Sequence, residues 1–271
     1  MGVYKRVFSK KNRALLIELV KTDFKLRYQG SVVGYLWSLL RPLFMFLILY
    51  VVFTTVFPLG KGVPHYPVYL FVGIILWNFF AEMTQQSLGS IVGRGDLIRK
   101  IRIPRWMIVF STSLNALINL GLNLAVLVVF MVLNHVAPLV TIVWLPLIII
   151  EVYILGLGLA FFLSALFVKF RDIQYIWELF IQAGFYLTPI LYPLTRIENP
   201  TFQKFIFMNP MAQAIQDARY ALISHDGAVV TIWRVFESDW YALIPFGIVL
   251  ALFILGVSYF RNQQNSFAEN L

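Results

Sequence analysis

The stretch LVTIVWLPLIIIEVYILGLGLAFFLSALF, residues 139–167, carries one charged side chain, Glu151, in 29 consecutive positions. At about 1.5 Å per residue a helix of that length exceeds a hydrocarbon core roughly 30 Å thick. A barrel strand is excluded, because such strands run about 10 residues and alternate apolar with polar positions. The stretch therefore reads as a membrane-crossing helix, the one simple element that satisfies all its backbone groups in lipid. Five further windows read the same way: 39–57, 66–86, 106–134, 173–194 and 241–260. The expected fold is an all-α polytopic membrane protein with six transmembrane helices.

Composition agrees. Of 271 residues 60% are hydrophobic and 13% charged, against about 45–50% and about 25% in soluble domains, and the mean hydropathy is +0.78. A chain so apolar is neither soluble nor disordered. The absence of cysteine removes disulfides, thiol nucleophiles and thiolate metal sites. His65, His135 and His225 are scattered singly, no H-E-x-x-H occurs, and no close carboxylate pair lies inside a span. Neither G-x-x-x-x-G-K-[ST] nor a strand-borne G-x-G-x-x-G is present, so no recognised loop for nucleotide exists in this chain. If it drives transport, the energy comes from an ion gradient or from a separate ATPase. A membrane-embedded enzyme acting on glycans or lipids is the third class, since one Asp or His in an outer loop can suffice for it.

The net charge of +9 is one of distribution rather than of nucleic-acid binding. Eight Lys and Arg precede residue 28, five lie in the loop after the second span (Arg94, Arg99, Lys100, Arg102, Arg105), Lys169 and Arg171 follow the fourth, and Arg41 and Arg261 flank the first and last. That places 17 of 22 cations on one side. The other side has Lys61, Arg196, Lys204, Arg219 and Arg234, balanced by five acids, so both termini are expected in the cytoplasm. The first apolar run starts too late and runs too long for a signal peptide, so the N-terminus is expected to be retained.

Two regions emerge: a cytoplasmic amphipathic segment, 1–38, and a transmembrane domain, 39–271. In the first, Leu16, Leu19, Val20 and Phe24 share a helical face opposite Glu18, Lys21 and Lys25, predicting a helix that ends near Gly30 and lies along the inner surface. A positively charged topology anchor is the other reading. In the loop 89–105, Leu97, Ile98, Ile101 and Ile103 alternate with cations, the pattern of a short helix docking in a partner's groove or resting on anionic lipid. In the outer segment 195–240, Asn199-Pro200 and Asn209-Pro210 each supply a cap and a first helical residue, predicting short helices over 202–207 and 211–222 that form a lid or pack at the interface.

Within the spans, Ser111, Asn115, Asn119 and Asn123 recur every four residues and form a polar stripe, for interhelical hydrogen bonds or a substrate path. Glu82, Glu151 and Glu178 must face protein or water. Gly156, Gly158, Ala160 and Ser164 permit close helix approach. Aromatics crowd the first and fifth spans (Phe46, Tyr50, Phe53; Phe185, Tyr186, Tyr192), either as lipid-facing rings or as a passage that stacks on sugars.

In their order, several motifs resemble the ABC-2 type permeases that export lipid-linked polysaccharides such as O-antigen, teichoic acid and rhamnan. They are Arg27-Tyr28 before Gly34-Tyr35-Leu36-Trp37 and Pro42; Gly73 and Trp77; Leu97 to Pro104; Phe170-Arg171-Asp172; Thr188-Pro189-Ile190 with Tyr192; and Asn209-Pro210. Around residues 19–37 the chain is most similar to the rhamnose-polysaccharide exporters of Gram-positive bacteria. The resemblance covers nearly the whole chain, with Ile103-Pro104 standing where an aromatic often precedes the proline. It implies a homodimer with two ATPase subunits beneath it in a bacterial inner or plasma membrane, moving an undecaprenyl-linked glycan outward. ATP and Mg would be bound by the partner, and no cofactor by this chain. Phe24, Arg27, Tyr28 and the run Asp96, Leu97, Ile98, Arg99, Lys100, Ile101, Arg102 would receive the ATPase's motion. Asn209, Pro210 and Met211 would belong to the exit gate.

Overall fold

The computed structural model describes residues 10–28, 33–34, 36–57, 59–100, 103–137, 139–223, 229–236, 239–264 and 267, and among these the chain is helical throughout, without a strand. In order come α1 (Lys10–Tyr28), α2 (Leu36–Val51, continued by a π-helical turn, Val52–Val56), α3 (Tyr66–Leu88), α4 (Gly95–Lys100) after the 3-10 turn Val92–Arg94, and α5 (Trp106–Leu133). Then follow α6 (Leu145–Lys169) after the 3-10 turn Val140–Trp144, α7 (Ile173–Leu187), α8 (Pro200–Phe207), α9 (Pro210–Leu222), the one-turn helices α10 (Ile232–Val235) and α11 (Asp239–Ala242), and α12 (Ile244–Gln263).

Among the described residues five helical stretches are long and apolar enough to cross a membrane: Leu36–Val56, Tyr66–Leu88, Trp106–Leu133, Val140–Lys169 and Trp240–Gln263. The difference from six lies at 173–194. There α7 has 15 residues, about 22 Å of helix against a core of about 30 Å. Pro189 is the reason: it drives Thr188 into the extended region, where no helix continues. Chain direction is nevertheless kept. Residues of α1 meet those of the 3-10 turn before α4, and Phe260 and Phe267 pack with Ile91 and Ile108. Both described ends of the chain therefore lie at the α4 end of the bundle, and the Asn-capped helices lie at the other.

Helix α3 is the axis, with 83% of its apolar window buried, against 6% for α2 with its extension and 22% for α12. Its polar side chains find partners inside the bundle: Glu82 accepts from Asn119 of α5 and Thr84 from the Trp177 indole of α7. Its Phe71 meets Phe46 of α2 and Phe130 of α5 at 5.0 and 5.1 Å, and its Trp77 ring lies against Gly184 of α7, where an added Cβ would approach to 2.7 Å. Apolar faces turned outward include those of α2 (Leu36, Trp37, Phe44, Ile48), α7 (Tyr175, Ile176, Leu179, Phe180) and α12 (Leu250, Ile254, Leu255).

The small residues of the fourth span act as their spacing predicts. Gly158 crosses Gly256 of α12 so closely that a Cβ on Gly158 would lie 2.5 Å from the Phe253 Cα, while one on Gly256 would collide with the Gly158 carbonyl. Because backbone cannot yield as a side-chain tip can, Gly158→Leu is expected to separate α6 from α12. Overpacking costs about 1–3 kcal/mol or more, and the check is loss of the monodisperse peak when the detergent-extracted variant is chromatographed. An unchanged profile and melting temperature would contradict the contact.

Candidate functional site

Two polar assemblies mark the two ends of the bundle. At the α4 end, α1 has the expected amphipathic faces: Leu19 is buried and Leu16, Val20 and Phe24 half-buried, while Glu18, Lys21 and Lys25 are exposed. On the covered face sits an acid that the sequence pattern passed over. Asp23 forms an ion pair with Arg94, and its second oxygen lies 3.1 Å from the Ser111 hydroxyl at the start of α5. Burial works against the charge of Arg94 and lowers its pKa from the ordinary arginine value, so the partnership with Asp23 is what makes its position tenable. Arg94 immediately precedes α4, so α1, the loop and α5 are tied at one point.

Of the residues expected to couple to an ATPase, Asp96 is exposed and Leu97 half-buried, while Ile98 packs against the core formed by Ile91, Ile108 and Val109. Arg27 and Tyr28 close α1, and Arg99 and Lys100 close α4, but their side chains lie outside the described residues, as do Ile101 and Arg102 altogether. Gly30, near which α1 was expected to end, is likewise outside them; α1 is described to Tyr28.

At the other end the short helices form as the Asn-Pro pairs predict. The Asn199 side chain accepts from the Thr201 N–H at 2.9 Å and that of Asn209 from the Met211 N–H at 3.0 Å, with proline in the first helical position of each. Asn209 also donates to the Thr188 hydroxyl at 3.2 Å, joining α9 to the end of α7. Pro210 is half-buried and Met211 belongs to the core. A separate apolar cluster of Leu194, Ile206, Phe207, Ala212 and Ile232 gives this segment its own core.

Arg219 of α9 fastens the segment to the bundle. Counted as an outer-loop cation in the sequence, it is fully buried. Its Nε donates to the Tyr69 carbonyl at 3.0 Å, Nη1 to Pro189 at 2.6 Å and Nη2 to Ile190 at 2.7 Å, and the guanidinium lies 3.5 Å from the centre of the Tyr69 ring. Its pKa is drawn down by burial, then supported by Tyr69 and Tyr66; an arginine keeps its proton nonetheless. The carbonyls freed where α7 stops at Thr188-Pro189 are thus met by the fork of one arginine. Gly73 leaves room for it, since a Cβ there would lie 2.7 Å from Arg219 Nη2.

Two residues of the polar stripe of α5 bond to other helices, while Asn123 donates to the Asn119 carbonyl of its own helix at 2.8 Å. Asn119 Nδ2 donates to Glu82 at 2.5 Å, Ser111 meets Asp23, and Asn115 and Asn123 are buried beside them. The aromatics divide. Phe46 and Phe185 are core side chains, 1% and 5% exposed, so neither ring lines a surface of this chain. Tyr50, Phe53 and Tyr192 are half-buried and Tyr186 is exposed.

A helical membrane-crossing bundle with one polar clamp at each end is the architecture of a multi-pass membrane protein. The ABC-2 type transporter family model matches residues 14–223, and the chain belongs to that family as a multi-pass membrane protein. It is 30% identical over 261 residues to the O-antigen export system permease protein RfbA of Myxococcus xanthus, covering 96% of each chain. It is 31% identical over 259 residues to the Klebsiella pneumoniae protein of that name, covering 95% of each. To the polysialic acid transport protein KpsM of Escherichia coli it is 23% identical over 210 residues, 74% of this chain and 78% of that one.

Proposed function

We propose that this chain is the membrane subunit of a bacterial inner-membrane exporter for a lipid-linked polysaccharide, acting as a pair of identical copies on two ATPase subunits. The observation that carries the reading is the outward face of α7. Glu178 stands exposed there among Tyr175, Ile176, Leu179 and Phe180, and α2 adds a second broad apolar face. A carboxylate in the middle of such a face is too costly against hydrocarbon; a second copy, with a passage between the two, resolves it. The printed names of the relatives, O-antigen export and polysialic acid transport, supply the class of cargo, and an undecaprenyl-linked glycan is the form in which a membrane passage between two helical faces would receive it.

The excess of Lys and Arg supports a cytoplasmic position for the α4 end and for both termini. ATP and Mg are then held by the partner, whose closure moves α1 and α4. Phe24, Arg27, Tyr28 and the run from Asp96 to Arg102 form the receiving surface. Tyr50, Phe53, Tyr186 and Tyr192 are the rings placed to meet sugar faces, and Asn209, Pro210 and Met211 belong to the exit gate. The chain is gate and conduit, and hydrolysis is the partner's.

The chain lacks cysteine, so Glu178→Cys supplies a single thiol. Oxidation in native membranes is expected to yield a disulfide-linked pair of copies, and mild-detergent extraction to bring down one Walker-containing ATPase per chain. Depletion of the chain should leave the glycan inside the cell. A chain that purifies alone, with no ATPase even after crosslinking, would remove this function.

A further inference from the structure

A cavity of about 780 Å³ opens on the flank of the bundle between α6, α9, α10 and α12. No residue of α2 or α7 lines it, so it is separate from the faces assigned to the glycan. Its size lies within the range of about 300–1,000 Å³ typical of small-molecule sites. Its walls are apolar. Ile150 and Leu250, each more than half exposed, open it toward the surface that lipid covers, and the exposed Trp144 and Trp233 stand at its edge as interfacial aromatics do.

Two acids share this apolar space. Glu151 and Asp217 both line the cavity, with the buried Gln213 amide between them, 2.5 Å from Asp217 Oδ2 and 3.5 Å from Glu151 Oε2. The other oxygen of Glu151 and the amide oxygen of Gln213 have no hydrogen-bond partner, and neither acid is ion-paired among the described residues; Arg234, the cation in the lining, lies 5.9 Å from the centre of the Tyr220 ring. Burial raises the Asp217 pKa to about 6, against the lowering by Gln213. Glu151 stands seven residues beyond Trp144, about 10 Å inward along the helix, where water is scarce and an uncompensated carboxylate is disfavoured. One neutral amide cannot balance two carboxyl groups. The two carboxyl groups call for a cation with several N–H donors, which Arg234 at the cavity's edge supplies to neither of them, and the apolar walls suit an acyl chain.

We propose that this cavity binds a membrane aminophospholipid, its primary ammonium seated against Glu151 and Asp217 and an acyl chain lying along Ile150 and Leu250. An ammonium has three donors for acceptors that exceed the local supply, and the nearby aromatic rings favour a cation as well. An anionic lipid meets two acids against the single Arg234, and a trimethylated headgroup has the charge without the donors. The site requires neither the ATPase nor the glycan, so it stands or falls apart from the export function.

The test is native mass spectrometry of the full-length chain, purified with whatever subunits accompany it and exchanged into mixed micelles with equal phosphatidylethanolamine, phosphatidylglycerol and phosphatidylcholine. Phosphatidylethanolamine is expected to be retained about tenfold over the other two, and the double variant E151Q/D217N to lose about tenfold of that retention. Ile150→Trp, which fills the cavity from the lipid side and leaves both acids in place, is expected to lose it as well, and serves where the double variant fails to assemble. Equal retention of the three lipids, or phosphatidylethanolamine retention unchanged in Ile150→Trp or in a folded double variant, overturns the proposal.

Discussion

Replacing Arg219 with leucine is expected to unfasten the segment 188–222 from the bundle and to lower the melting temperature of the purified chain by about 10 °C. The guanidinium meets the carbonyls of Tyr69, Pro189 and Ile190, all within 3.0 Å, and leucine meets none. A buried carbonyl left unpaired costs about 1–3 kcal/mol, so three exceed about 3 kcal/mol even after relief of the desolvated charge. At roughly 2–4 °C per kcal/mol for a chain of this size, the expected shift follows. Hydrogen exchange locates the effect: amides of residues 188–196 and 210–222 should exchange faster while those of α5 hold. Arg219→Lys should recover only part, because an ammonium lacks the planar fork that serves carbonyls on opposite sides. Gly73→Ala should reproduce a weaker form by pressing on Nη2. A leucine variant that melts with the parent and keeps its exchange pattern would show that the carbonyls find other partners.

Why Arg219 escaped the sequence reading is instructive beside what did not. The apolar windows, the two Asn-Pro caps and the Gly158 contact were legible because each is a local rule: hydrocarbon thickness, a side-chain acceptor for a free N–H, a missing Cβ. Arg219 was counted as a loop cation because a charge count carries no information on burial, and only α9 folding back under Tyr69 gives the residue its partners. The end of α7 was misplaced for a related reason. The stretch 188–192 is nearly as apolar as the helix before it, so hydropathy runs on across a proline that halts the backbone. With the aromatics, composition told that rings were present but not which face they took; Phe46 and Phe185 turned inward while Tyr186 did not. Asp23 could have been found. It follows Leu16, Leu19 and Val20 at helical spacing, and an acid on the apolar face of a basic helix calls for a partner.

That acid carries the second large effect. Asp23→Asn is expected to lower glycan export by about tenfold or more while the ATPase of the assembled complex continues to turn over. The ion pair with Arg94 links α1 to the residue that begins the turn into α4, and Ser111 extends the link to α5. If ATPase closure pushes on α1 and α4, the two must move together for the push to reach the bundle. With asparagine in place, Arg94 keeps a partly buried charge without its counter-ion, which disfavours the docked position by about 2 kcal/mol. A loss of that order is enough to shift a two-state interface by more than tenfold without unfolding five apolar helices. The reversed pair, Asp23→Arg with Arg94→Asp, rebuilds the link and should restore export well above either single variant, which a general loss of fold would not allow. Measured in the same membranes, export that falls in step with ATPase activity, or a reversed pair no better than the singles, would mean that the ion pair holds α1 in place without transmitting anything. Export lost alone, and regained on reversal, would identify it as the joint through which the partner's motion enters the membrane.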